Sequence, residues 1–131
     1  MTVPDTRDYE QAQAQLGSIR KMVKALQDAI KDDNQDAIEK AEEAIREDPL
    51  AVEVRSDWYI PGREPGEPSE YRILLCTGGP AVRLVGDLDR DLPLSIRLEY
   101  QDWFTPWQEY FLDADGEEVC LTYARQFYFG D

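Results

Sequence analysis

IREDPLAVEVRSDWY, residues 45–59, is where the chain changes its hydrophobic period, and that change decides the fold class. Upstream of Pro49 apolar residues recur at steps of three and four. Downstream, Val52 and Val54 alternate with Glu53 and Arg55. The first period belongs to an amphipathic helix and the second to a half-buried strand. Pro49 supplies no backbone donor and marks the end of the helical half. Helices gathered before the break and strands after it predict an α+β domain rather than an alternating α/β one.

Working back from the break, Ala37, Ile38, Ala41, Ala44 and Ile45 line one face of a helix over about Gln35 to Glu47, with Asn34 as its N-cap. Asp32-Asp33-Asn34 separates it from a longer helix over Asp8 to Lys31. There Tyr9, Ala12, Leu16, Ile19, Val23, Leu26 and Ile30 form an uninterrupted a/d stripe. The short connection forces the two to pack antiparallel, as a helical hairpin over 8–48. The stripe suits either that packing or a coiled coil between two copies, and packing within the chain is favoured, because the second helix offers a matching face and the sheet needs a cover.

Working forward, residues 51–59 read as a strand and Ile60 to Ser69 as a loop rich in proline and glycine. Tyr71–Cys76 and Ala81–Val85 form a hairpin about Thr77-Gly78-Gly79-Pro80. Leu94, Ile96, Leu98 and Tyr100 alternate with polar residues in the cleanest half-buried strand of the chain. Val119–Phe127 reads as a fifth strand. The expectation is a single domain over 1–131, in which 51–129 is an antiparallel, meander-like sheet of about five strands. The helix pair covers one face of that sheet.

Composition excludes several chemistries. The 131 residues contain 28 acids, 14 bases and no histidine, for a net charge of −14. Without histidine there is no Ser-His-Asp or Cys-His catalysis and no imidazole metal ligand. A pI near 4.3 opposes direct binding to nucleic acid, because carboxylates repel phosphates. No apolar run reaches the roughly 18–20 residues of a membrane span, and MTVPDTRDYE does not have the pattern of a signal peptide. Cys76 and Cys120 read as reduced, partly buried thiols, so the expected compartment is the cytoplasm.

Two acidic strings invite a metal reading. Asp87, Asp89 and Asp91 alternate in GDLDRDLP, and Asp113, Asp115, Glu117 and Glu118 crowd DADGEE. Alternate oxygens resemble the start of a calcium loop, but its sixth-position glycine and twelfth-position glutamate are missing in the first string, and the sixth position of the second is Glu118. They read as solvated turns. No phosphate-cradling loop, nucleophile elbow or Cys-x-x-Cys motif occurs, so no cofactor and no enzymatic activity is expected.

The most unusual string is Gln101–Phe111, which carries five aromatics within residues 103–111. Trp103, Trp107 and Phe111, spaced by four, fit a helical turn plugging the sheet's core. Partly exposed, the same tryptophans would instead anchor a partner. The candidate contact surface is therefore Asp102, Trp103 and Trp107 at one sheet end, flanked by Asp113, Asp115, Glu117 and Glu118.

Four blocks, Val52–Tyr59, Tyr71–Arg83, Gln101–Trp107 and Phe127–Gly130, resemble a family of small bacteriophage and prophage proteins. The resemblance implies a phage setting, in the cytoplasm of an infected or lysogenic bacterium, and assigns no chemistry. Small acidic phage proteins are frequently inhibitors of host defence, including anti-CRISPR proteins and DNA mimics. The leading expectation is accordingly a stoichiometric inhibitor, monomer or homodimer, of a host or phage protein with a basic surface. One alternative is a phage structural or adaptor protein dimerising through the heptad helix; another is a carboxylate-based metal protein or enzyme.

Overall fold

The computed structural model describes residues 7–102 and 105–130. Helix α1 (Arg7–Lys31) and helix α2 (Gln35–Glu47) are followed by strands β1 (Ala51–Ser56), β2 (Pro68–Cys76), β3 (Ala81–Asp89), β4 (Leu92–Pro93), β5 (Arg97–Gln101) and β6 (Gln108–Tyr110). Helix α3 (Ala114–Ala124) comes last. The sheet is an antiparallel meander in the order β1-β2-β3-β5-β6, with β4 hairpinned onto the end of β3. The α+β class, the helix pair and the meander all stand.

The helical hairpin forms as its sequence dictates. Asn34 Oδ1 accepts the Ala37 N–H at 3.2 Å, capping α2. Before it, Asn34 N–H reaches Ala29 O at 3.2 Å and Asp33 N–H reaches Ile30 O at 3.0 Å. Those paired bonds make a Schellman turn, with Asp33 in the left-handed position at φ 50°. Ala12, Leu16, Ile19, Val23 and Leu26 of α1 are all buried. In the last turn Ala29 is buried and Ile30 exposed, because the neighbour there is the antiparallel α2 rather than the sheet.

Helix α1 lies across β3 and β5, with α2 and α3 against its flanks. Its stripe shares one buried cluster with Tyr71, Ile73, Leu75, Val82, Leu84, Leu88 and Leu98 from the sheet and with Ile96, which, like the exposed Leu94, precedes β5 rather than belonging to the expected strand. The heptad stripe is therefore consumed inside the chain. Leu16 (8% exposed) and Val23 (1%) are not on offer to a second copy.

The expected fifth strand, Val119–Phe127, is a correction. Most of it lies in α3. Asp113 Oδ1 accepts the Gly116 N–H at 2.7 Å and caps that helix, with Asp115 and Glu117 in its first turn. Gly116, Cys120, Tyr123 and Ala124 are buried at helical spacing. The fifth long-path strand is instead β6, inside the aromatic block that suggested a helical turn; Phe111 lies exposed rather than plugging a core. Beyond α3, Phe127 and Phe129 turn inward, with Phe129 against the Tyr71 ring at a centroid distance of 5.1 Å, while Tyr128 faces out.

Other boundaries shift. Strand β1 stops at Ser56, and Trp58 and Tyr59 belong to the following loop. The acidic string 87–91 is no loop: β3 runs through Asp89, and only Arg90 and Asp91, at φ 52° and 68°, make the turn into β4. Two successive positive φ angles suit the tight hairpin that pairs Asp89 with Leu92.

Candidate interaction surface

Strand pairing places opposed residues on the same face of a sheet. Val52 opposite Ile73, and Leu84 opposite Leu98, face the helices. Glu53 opposite Arg72, Arg55 opposite Glu70, and Arg83 opposite Glu99 face away. No helix among the described residues covers this second face, which is a lattice of opposite charges. Arg72 Nε donates to Glu53 Oε1 at 2.8 Å, Arg55 Nε to Glu70 Oε2 at 2.7 Å and Arg83 Nε to Glu99 Oε1 at 2.8 Å. Arg97 lies 3.7 Å from Glu99 and 4.0 Å from Glu109. All of these groups except Glu109 line a shallow depression of about 290 Å³. The Arg72 guanidinium holds the Glu53 carboxyl below its usual range, the opposite of what a general acid at neutral pH requires.

The predicted contact residues fall into two places. Trp107, half-buried, lies under the Arg83 guanidinium, 3.9 Å from carbon to ring centroid, and so belongs to the uncovered sheet face. Asp102 directly follows β5, five positions before Trp107, and its carbonyl accepts the Thr105 hydroxyl at 2.9 Å. Trp103 lies outside the described residues. Asp113 and Asp115 sit in the helical layer, where Arg20 Nη1 of α1 donates to Asp115 Oδ2 at 2.6 Å and Arg20 Nη2 stands 4.0 Å from Asp113. Glu117 and Glu118 are exposed on α3. Trp107 and the acids of 113–118 therefore occupy opposite layers, and the single flanked patch expected from their closeness in sequence does not form.

Charge is segregated between those layers. Residues 32–48 hold eight acids against two cations, and residues 113–124 hold four acids and no cation. Asp36, Glu39, Glu43 and Glu47 are exposed along α2 at intervals of three, four and four, one stripe about 16 Å long at 1.5 Å rise per residue. Among the described residues, no group of three or more Asp, Glu or Cys side chains is disposed to hold a metal ion. No helix among them is long and apolar enough to cross a membrane.

Against protein-family models, curated proteins and solved structures, the chain finds no match. The surface has to be read from its own residues.

Sequence reasoning missed one exposed apolar region. Val52 (37% exposed) and Val54 (45%) lie beyond the reach of α1, and Trp58 is fully exposed (103%), with Tyr59 and Ile60 beside it. The signal was present: Trp58-Tyr59-Ile60 stands next to Pro61 and Gly62, where no strand could bury it.

The thiols are separate. Cys120 is buried in α3, and burial pushes its pKa up to about 12. Cys76 is half-buried at the end of β2, with its sulfur 3.8 Å from the Pro80 carbonyl oxygen.

Proposed function

We propose that this chain is a stoichiometric inhibitor of a basic, nucleic-acid-handling protein, working by occupation rather than by chemistry, in a phage or prophage setting. The observation that carries the reading is the segregation of charge. The arginines of β1, β2, β3 and β5 are each within ion-pair distance of a glutamate on the uncovered sheet face, so that face contributes little net field. Of the net charge of −14, residues 32–48 contribute −6 and residues 113–124 contribute −4, so most of the surplus carboxylates stand about α2 and at the start of α3. A row of carboxylates on a rigid helix draws a basic groove over distances of a Debye length and raises the association rate. The acids Asp113, Asp115, Glu117 and Glu118 keep their proposed role as part of this helical-layer surface, while Asp102 and Trp107 do not share it. The phage setting and the anti-CRISPR or DNA-mimic type of action rest on the motif blocks and the charge.

The test is affinity capture from a bacterial lysate at low and high salt, followed by association kinetics on the captured partner. Charge reversal at Asp36, Glu39 and Glu43 should slow association about tenfold or more at low salt and have less effect at high salt. A captured partner without a basic surface, or binding indifferent to salt and to the α2 charges, rejects the reading.

A further inference from the structure

Strand β1 is hydrogen-bonded to a neighbour on one side only among the described residues. Such an edge offers unpaired N–H and C=O groups to another strand. Three features set how accessible and how apolar it is. Helix α1 spans β3 and β5 and leaves Val52 and Val54 exposed on the helical side. The loop after β1 borders a cavity with Val54, Arg55 and Ser56, whose lining does not include Val52 or Glu53, and turns back to β2, where Ser69 Oγ donates to Asp57 Oδ1 at 3.0 Å. The strand itself is only six residues long, Ala51–Ser56, so a partner strand needs little length to match it.

We propose that a second copy of this chain occupies that edge, β1 pairing antiparallel with β1 about a twofold axis through Val54, so that the two sheets become one. The charges select both occupant and register. A twofold axis perpendicular to the sheet keeps the helical sides of both copies together, so residues must meet others of the same facing. Centred on Val54, Glu53 of each copy lies opposite Arg55 of the other. The cross-strand row then runs Arg72, Glu53, Arg55 of the second copy and Glu70 of the second copy, alternating in sign throughout. It continues the pairs Glu53–Arg72 and Arg55–Glu70 already present within each chain. Centring on Glu53 sets two glutamates face to face, and centring on Arg55 sets two arginines face to face, both unfavourable. On the helical side the Val54 registration brings the two Val54 side chains together. An arbitrary strand meets a charged edge that rejects it; β1 carries the complement of its own pattern.

The experiment is sedimentation of the full chain over a concentration series at about 0.15 M salt, where the Debye length of about 8 Å screens the repulsion between two acidic copies. The expected result is a concentration-dependent dimer, and Arg55→Glu should weaken it at least tenfold. Register is tested by oxidative cross-linking in a Cys76→Ser background, with Cys120 buried. Val54→Cys, at the axis, should give a reducible dimer. Val52→Cys should not, since its copies stand four strand positions apart, about 13 Å. A wild-type chain that stays monomeric at every soluble concentration overturns the proposal. So does a dimer in which Val52→Cys cross-links as readily as Val54→Cys, or in which neither does. Circular dichroism on each variant confirms the fold being compared.

Discussion

Gly86 is held to glycine by its neighbours. A β-carbon there would stand 2.0 Å from the Ser95 carbonyl oxygen and 2.8 Å from the Tyr71 hydroxyl, and the first of these is backbone that cannot swing away. The contact exists because the segment between β4 and β5 crosses close over β3, where Ser95 O accepts the Tyr71 O–H at 2.7 Å. Gly86→Ala should therefore lower stability by about 2–3 kcal/mol in chemical denaturation. Gly17, in the middle of α1, has nothing within 4 Å of the same position. There the change to alanine relieves only backbone entropy, and Gly17→Ala should raise stability by about 0.5–1 kcal/mol. Opposite signs from one chemical change test the packing directly. Trp107 is a milder case. It covers Arg83 on the uncovered face without entering the core, so Trp107→Ala should cost about 1–2 kcal/mol and leave a folded chain, well short of a core aromatic deletion.

At the scale of elements, the turn between α1 and α2 holds an avoidable strain. Asp33 occupies the left-handed position of the Schellman turn, at φ 50°, where a β-carbon is penalised and glycine is not. Asp33→Gly should stabilise the protein by about 0.5–1 kcal/mol, read as a higher midpoint in urea with an unchanged slope. The helix pair was legible in the sequence to within a residue, because stripe, cap and proline all pointed the same way. The C-terminal elements were not. Val119, Thr122 and Tyr123 favour strand by propensity, yet tertiary burial of Gly116, Cys120, Tyr123 and Ala124 makes them helix. Asp113 followed by Asp115, Glu117 and Glu118 was a capped, acid-rich first turn, and its crowding of acids looked like a solvated loop. Strand β6 is three residues beside Pro106, too short for any period to declare itself. Trp107 and the acids of 113–118 were expected side by side for the same reason: once 114–124 is a helix, the chain leaves the sheet after β6 and carries its acids to the other layer.

For the whole molecule, alkaline pH is the condition that opposes folding through two separable causes. Burial raises the pKa of the Cys120 thiol from 9.0 to about 12. The Tyr71 and Tyr123 hydroxyls are also raised, both mainly by burial, and that of Tyr123 additionally by the Asp48 carboxylate, which accepts its O–H at 2.7 Å. In each case the folded state keeps a proton that the unfolded state releases. The stability they contribute is fully present below about pH 9 and declines as pH rises through the thiol and phenol range. Ionisation in that range also adds negative charge to a chain already at −14, increasing its self-repulsion. Salt distinguishes the two causes. Going from about 0.01 to about 0.1 M shortens the Debye length from about 30 to about 10 Å, which screens exposed charges far more than buried ones. Melting temperature should thus rise with salt at pH 7, against the small loss from weakening exposed ion pairs, each worth about 0–1 kcal/mol. Above pH 9 it should fall at both ionic strengths, and added salt should recover only part of the drop. Cys120→Ser, which removes one of the raised groups, should shallow the alkaline slope without changing the salt dependence at pH 7. Thermal melts on a grid of pH and salt check this: a decline fully reversed by salt would assign the alkaline instability to surface repulsion alone.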